Sequence, residues 1–316
     1  MPPKKIQLKT TAEHARQRLD QVLSVLLPPA LGQPISKAKI RMLIVAGAVY
    51  LNGRRIRIAS KEVIPNAKLD VYIDFQKLGE SGLARDRVFQ MKAQDILFED
   101  EYVIAVSKPP GLPTQPTLDE ARDNLFAAVK KYIATRDRVA QPYLALHHRL
   151  DRDTSGVLIL VKDVRANVGV ADAFSKHFAQ KTYLAIAQGS LRSNQWTVQN
   201  HLGRDKSVSS KSSRFTAVQS GGDFAQTEFK VLQELGACAL IQAMPKTGRT
   251  HQIRVHLSEG GLPILGDATY GGNKSLAPRL MLHAAKLTLP HPVTGKPLTI
   301  ECPLPKDFEE CLRKLR

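Results

Sequence analysis

The stretch from His147 to Lys162, HHRLDRDTSGVLILVK, constrains the fold of this chain more than any other. Val157 to Val161 is an unbroken run of β-branched and aliphatic residues, the pattern of a buried strand. Immediately before it, Arg149, Asp151, Arg152 and Asp153 crowd four charges into five positions, and Thr154, Ser155 and Gly156 close the turn. A charged turn that runs into a buried strand holds a carboxylate at the rim of a sheet. The same residues also suit a solvated turn in which Asp bonds its own backbone. Spacing alone leaves both open.

A chain of 316 residues is long enough for two domains, and 43 % hydrophobic with 24 % charged residues is a globular composition with a sizeable core. The formal net charge of +17 points to a polyanionic partner, nucleic acid ahead of an acidic membrane surface. Cys238, Cys302 and Cys311 are few, dispersed and odd in number, which fits a reducing compartment and excludes a disulfide framework. No apolar run approaches a membrane span. Val22 to Leu31 follows basic residues but holds Pro28 and Pro29 and leads to no small-residue cleavage site, so it is not read as a signal peptide. A cytoplasmic, nucleic-acid-associated monomer with no membrane contact is expected.

Charge is concentrated at the front. Residues 1–80 hold 14 Lys and Arg against 6 Asp and Glu, nearly half of the chain's excess in a quarter of its length. Met1 to Thr11 reads as a mobile basic leader. Leu19, Val22, Leu23 and Leu26 fall at helical spacing and predict a helix that Pro28-Pro29 ends. Ser36 caps a second helix with Ile40, Leu43 and Ile44 as its stripe and Gly47 as its stop. Ala48 to Leu51, a turn at Asn52-Gly53 and Arg54 to Ile58 predict a hairpin, and Lys68 to Ile73 a further strand. Lys37, Lys39 and Arg41 on the helix, with Arg54, Arg55 and Arg57 past the turn, are the candidate RNA-binding residues, a phosphate-tracking face. Phe75 to Ala93 is polar, without periodicity, and reads as a linker.

Three blocks in order carry a family resemblance. His148-Arg149-Leu150-Asp151, followed by Thr154-Ser155-Gly156, resembles the signature of the RluA-type pseudouridine synthases. Ahead of it, the acidic turn, strand and Lys-Pro-x-Gly loop of DILFEDEYVIAVSKPPGLPTQP are similar to that family's opening segment, with a departure at Gln115, where relatives usually carry His. Behind it, GRTHQIRVH (Gly248 to His256) is close to the family's third block. Arg18-Leu19-Asp20 with SKAKIRMLIVAGAVYLNG resembles the αL-type RNA-binding domain named after ribosomal protein S-four. The organisation implied is an αL domain over 12–75, a linker over 76–93 and a catalytic domain over 94–316. The implied fold is α+β, with a mixed, largely antiparallel sheet, flanking helices and a central cleft, behind a small N-terminal α/β RNA-binding domain.

The resemblance implies roles residue by residue. Asp151 is the catalytic carboxylate, Arg254 pairs with it, and Tyr183 (in Lys181-Thr182-Tyr183) stacks on the target base and takes part in proton transfer. Arg149 helps displace the uridine, Ile253 lines the base pocket, and Leu150, Thr154, Arg249 and His251 complete the substrate contacts. An ionised carboxylate in a dry pocket needs a neighbouring cation, which suits that pairing. Thr250 is read as the N-cap of a helix carrying Ile253, His256 and Leu257 on one face. Pro263 to Asp267 and Tyr270-Gly271 are read as structural.

The reaction implied breaks the base–sugar bond, rotates the base and rejoins it through carbon 5. It involves neither redox chemistry nor a group donor, so no cofactor is expected. No metal is expected either: His251 and His256 are five apart where helical ligand pairs want four. The expected partner is RNA, with ribosomal RNA or pre-ribosomal particles ahead of transfer RNA. A non-catalytic RNA-binding assembly factor is the competing reading, disfavoured because simple binding needs no buried Asp.

Overall fold

The computed structural model describes residues 4–73, 89–116, 123–205 and 214–316. The chain divides into two compact units, Met1–Val88 with Pro116–Asp123, and Phe89–Gln115 with Asn124–Arg316. Of the expected linker, positions 76–88 lie outside the described residues. Phe89 and Met91 belong instead to the second unit, where Met91 is buried in its core.

In the first unit, β1 (Lys4–Lys9), β2 (Val49–Leu51), β3 (Arg54–Ile56) and β4 (Lys68–Ile73) form an antiparallel sheet in the order β1-β4-β2-β3. Helices α1 (Leu19–Leu31) and α2 (Lys37–Val45) share its core through Leu19, Leu23, Leu27, Ile40 and Ile44. Asn52 and Gly53 both take positive φ, 47° and 76°, as a tight two-residue hairpin turn requires. Two expectations are corrected. The basic leader is not mobile over Lys4–Lys9, because Ile6 is buried and the strand pairs along its whole length with β4. Its partner strand lies far along the chain (Lys4 opposite Ile73, Lys9 opposite Lys68), out of reach of local pattern. Nor do Pro28 and Pro29 end α1. The helix runs on to Leu31 and stops at Gly32, whose φ is 70°. The buried ridge of Leu19, Val22, Leu23 and Leu27 holds a segment that proline by itself disfavours.

The second unit is built on a ten-stranded sheet. Its strands are β5 (Ile96–Glu99), β6 (Val103–Lys108), β7 (Ser155–Val161), β8 (Gln180–Gln188), β9 (Gln195–Arg204), β10 (Phe215–Ala217), β11 (Asp223–Leu235), β12 (Cys238–Pro245), β13 (Leu282–Pro290) and β14 (Pro297–Glu301). The order is β10-β9-β11-β12-β8-β13-β7-β6-β5, with β14 on β13. Every pairing is antiparallel except β13 with β7. Helices α3 (Leu125–Asp137) and α4 (Asn167–Ser175) pack into one core with β6 and β7; α5 (Gln252–Glu259) and α6 (Lys306–Leu315) pack into a second with β8 and β12. Tyr183 touches both cores. The fold is therefore α+β with a mixed, largely antiparallel sheet.

The central run behaves as a strand buried on both faces should: all seven residues of β7 are buried. Its parallel pairing is short, His283 opposite Ser155 and Ala284 opposite Gly156. Gly156 sits at φ 123°, and a Cβ there would lie 2.2 Å from the Ala284 carbonyl oxygen. Only glycine lets the two strands approach where β7 leaves the charged turn. Gly156→Ala is therefore expected to destabilise the protein by about 3 kcal/mol or more through combined strain and clash, measured as a lowered urea midpoint.

Candidate active site

The charged turn delivers Asp151 to a cleft of about 540 Å³ in the second unit. Its walls come from that turn, from Lys181 and Tyr183 on β8, and from the segment that joins β12 to α5. The turn itself is closed by Thr154, whose N–H donates to the Asp151 carbonyl at 3.2 Å, and Thr154 is buried. Thr114 fixes the other side of the turn: its hydroxyl donates to the Leu150 carbonyl at 2.7 Å and accepts from the Leu150 N–H at 3.2 Å. Beneath it, the fully buried Lys108 gives its Nζ to the carbonyls of Pro109, Leu112 and Arg152 at 2.9, 2.7 and 2.8 Å. Burial pushes that lysine's pKa down to about 7, against the pull of Asp153 and Asp151. Three carbonyl acceptors match the three N–H of an ammonium.

Geometry separates the two carboxylates of the turn. Asp153 bonds its neighbour Arg152 through both oxygens, each at 2.9 Å, and does not line the cleft. Asp151 Oδ2 lies 3.4 Å from Arg254 Nη1 and 3.8 Å from His251 Nε2. Arg254 has a closer partner. Its Nε and Nη2 donate to the two oxygens of Asp267 at 2.7 and 2.9 Å, and its guanidinium lies 4.9 Å over the Tyr270 ring. Asp267, itself buried, also accepts from the N–H of Thr269 and Tyr270 at 3.0 and 3.2 Å. Burial works against the charge on Arg254, but the bond to Asp267 and then the nearby Asp151 hold its pKa above the ordinary value. The expected pair of Arg254 and Asp151 is thus a triad anchored on Asp267, which had been read as structural. The Gly-Asp of Pro263 to Asp267 was the available signal, but nothing in that string says which arginine it meets.

The helix start is also corrected. α5 begins at Gln252 with His251 at its N-cap position, φ 58°, and not at Thr250. No side chain caps the helix; Gln252 instead ties down the segment before it, its Oε1 accepting from the Arg249 N–H at 2.9 Å and from the Thr247 hydroxyl at 2.7 Å. Every residue from Gln252 to Leu257 is buried, so α5 has no solvated face there. Ile253 and Arg254 reach the cleft together. His251 Nδ1 lies 2.9 Å from the Tyr270 hydroxyl, which accepts from the Phe215 N–H at 2.9 Å. Burial, offset in part by Asp151, lowers the His251 pKa.

Burial, and then the Asp151 charge, raise the pKa of Tyr183, so its ring enters the cleft as a neutral phenol. Arg149 lines the cleft and is exposed. His148, beside it, stacks on Phe174 at 4.3 Å and accepts from the Ile159 N–H at 3.1 Å. Burial drives its pKa down to about 3.

The candidate RNA-binding cations lie in the first unit and do not form one continuous free face. Arg41 Nε bonds the buried Asp20 at 2.7 Å, beside Arg18 Nε at 3.0 Å, so this guanidinium braces α1 against α2. Lys37 and Lys39 occupy the first turn of α2, whereas Arg55 and Arg57 pack over Gly47 at its far end. Arg54 and Arg55 are exposed on β3, where Arg55 Nε donates to the Tyr50 hydroxyl at 2.8 Å. A larger hollow of about 900 Å³ near Gly189 and Gly236 holds none of the motif residues.

Residues 102–259 match the model of the RNA pseudouridylate synthase family. The chain belongs to this family. Relatives extend over almost the whole length: it is 32 % identical over 97 % of its residues to ribosomal large subunit pseudouridine synthase C of Escherichia coli K12, covering 95 % of that protein. It is also 32 % identical to an uncharacterized RNA pseudouridine synthase, YhcT, of Bacillus subtilis, over 84 % of this chain and 86 % of the relative. The solved structure of human RNA pseudouridylate synthase domain containing 4 is similar at a TM-score of 0.58 and 27 % identity, over 75 % of this chain and 97 % of that one. As a member of this family, the enzyme is an isomerase acting on RNA. Among its described residues no helix is long and apolar enough to cross a membrane, and none of the His, Cys, Asp and Glu groups is arranged to hold a metal ion.

Two outcomes follow from this geometry. Asp267→Asn should cost about 3 kcal/mol in stability and lower the rate at least about tenfold, because Arg254 loses its charged anchor; paired denaturation and single-turnover assays measure both. The second concerns pH. Folded His148 titrates near 3 and unfolded His near 6.5, so between those values the unfolded chain binds a proton the folded one refuses. Stability should fall as pH drops below 6.5, by up to about 1.4 kcal/mol per pH unit from this histidine. His148→Gln, which keeps an acceptor for the Ile159 N–H, should flatten that slope in urea titrations.

Proposed function

We propose that this enzyme isomerises specific uridines of large-subunit (23S) ribosomal RNA, with Asp151 as its catalytic carboxylate. The observation that carries the assignment is that Asp151, alone of the two acids in its turn, opens into the cleft beside Arg254. The rRNA substrate is supported by the relatives named ribosomal large subunit pseudouridine synthases C and D, 32 % and 31 % identical over 97 % and 99 % of this chain. The enzyme acts as a cytoplasmic monomer on free RNA or pre-ribosomal particles, a reading supported by its three free, buried cysteines and its charge of +17.

Each part then has a task. The target base must leave the helical stack, and Arg149, exposed at the cleft mouth two residues from Asp151, takes the space it vacates. The base stacks on Tyr183 and against Ile253. Asp151 assists cleavage of the N1–C1′ bond; the freed base turns so that C5 faces C1′, and the new C–C bond forms. The C5 proton leaves and N1 gains one, so atoms and charge balance without an added reactant. Tyr183 relays a proton as a neutral phenol. Arg254, locked by Asp267, fixes where the Asp151 carboxylate sits, and His251 Nε2 lies 3.8 Å from the same oxygen. Leu150, Thr154 and Arg249 shape the rim. The first unit's Lys37, Lys39, Arg54, Arg55 and Arg57 track phosphates of the surrounding RNA, with Arg41 holding the scaffold beneath them.

Pseudouridine mapping of ribosomal RNA treated with the purified protein, with no metal or cofactor added, tests the reading. New sites are expected with wild type and none with Asp151→Ala at equal RNA binding. Unmodified rRNA with both proteins would return the chain to transfer RNA or to an assembly role; modification by both would remove Asp151 from the chemistry.

A further inference from the structure

Several cations in and under the cleft are already engaged. Arg254 is held by Asp267, Arg152 by Asp153, and Lys108 by three carbonyls. Three on the cleft wall differ: Arg149, exposed at its mouth, and the pair Lys181 and Arg249. Lys181 Nζ donates only to the Thr247 carbonyl, at 2.9 Å, and Arg249 Nε only to the Phe224 carbonyl, at 2.9 Å. Neither has a carboxylate at ion-pair distance among the described residues. An ammonium has three N–H donors and a guanidinium five, so both keep donors unused.

The two are neighbours. The Cβ position of Gly248 lies 3.7 Å from Lys181 Nζ, and the charge of Arg249 adds to burial in lowering the Lys181 pKa to about 8. Like charges side by side on a partly buried wall oppose folding unless an anion joins them. Their place along β8 suits a nucleotide. Lys181 and Tyr183 are two residues apart on one strand, so their side chains share a face at about 7 Å spacing. That is the order of the span between a nucleobase and its own phosphate.

We propose that Lys181 and Arg249 bind a backbone phosphate of the RNA flanking the nucleotide whose base stacks on Tyr183. The inference rests on the functional reading above. It makes this pair a positioning clamp: it holds the flipped nucleotide by its phosphate while the base turns between bond breaking and bond forming.

The test uses an RNA oligonucleotide spanning a uridine that the wild-type protein modifies, with a neutral methylphosphonate at either its 5′ or its 3′ phosphate. One of the two substitutions should raise wild-type KM on the order of tenfold, as expected for losing a charged hydrogen bond. The same substitution should have no further effect on Lys181→Met, whose KM is already raised, while Lys181→Arg keeps the wild-type response. The arm that responds names the phosphate. Loss of one contact should also reduce the salt slope of binding by about 0.7 to 0.9. A merely structural tie to the Thr247 carbonyl would leave the methylphosphonate penalty intact in every folded variant, and that result overturns the proposal. Should Lys181→Met fail to fold, Arg249→Gln enters the same cycle with the same expectation. If wild type modifies no RNA at all, the functional reading itself fails, an outcome distinct from a wild type that works and a clamp that does not.

Discussion

Arg254 stands between two carboxylates of unequal hold. Asp267 takes its guanidinium by two short bonds, and Asp151 meets only the remaining Nη1 at 3.4 Å. A buried guanidinium needs a counter-charge to remain in the core, and Asp267, fixed by two backbone N–H groups, provides it. The result is a cation whose position does not depend on Asp151. Asp151 lies at the edge of that fixed charge, in a cleft walled by β8 and the entry to α5.

The sheet makes that meeting possible. Asp151 and Arg254 are about a hundred residues apart, and only the β7–β13–β8–β12 succession puts the turn before β7 next to the helix after β12. The one parallel contact in the sheet, β7 with β13, occurs beside the site, where Gly156 admits the Ala284 carbonyl. Beyond Gly156 that edge of β7 is covered by the preceding segment: Ala145 bridges Val161, and His148 receives the Ile159 N–H. The charged turn is therefore held from both ends, and Lys108 pins its middle. A catalytic group on a loop needs such support if it is to keep its geometry.

Much was legible in the residues. The apolar run Val157 to Val161, the Ser36 cap, the Asn52-Gly53 turn and the strand at Lys68 to Ile73 all depend on neighbours within a few positions, and all are present. The motif blocks likewise pointed to Asp151, Tyr183, Ile253 and Arg254, which share one cleft. What went unread depends on distant partners. Lys4 to Lys9 looks like a tail until β4 pairs with it. Pro28-Pro29 looks like a stop until the core buries the ridge beside it. Nothing near Arg41 in the chain says that Asp20 of α1 will bind it.

The sequence by itself determined the family, the reaction class and the charged turn that carries the carboxylate, because these reside in short strings whose chemistry is local. Only the tertiary structure decided that Arg254 answers first to Asp267, and that Lys181 and Arg249 share a wall without a counter-ion among the described residues. Those are pairings across strands and turns, set by which surfaces the core brings together. Local pattern carries a residue's chemistry, and the fold alone carries its partner.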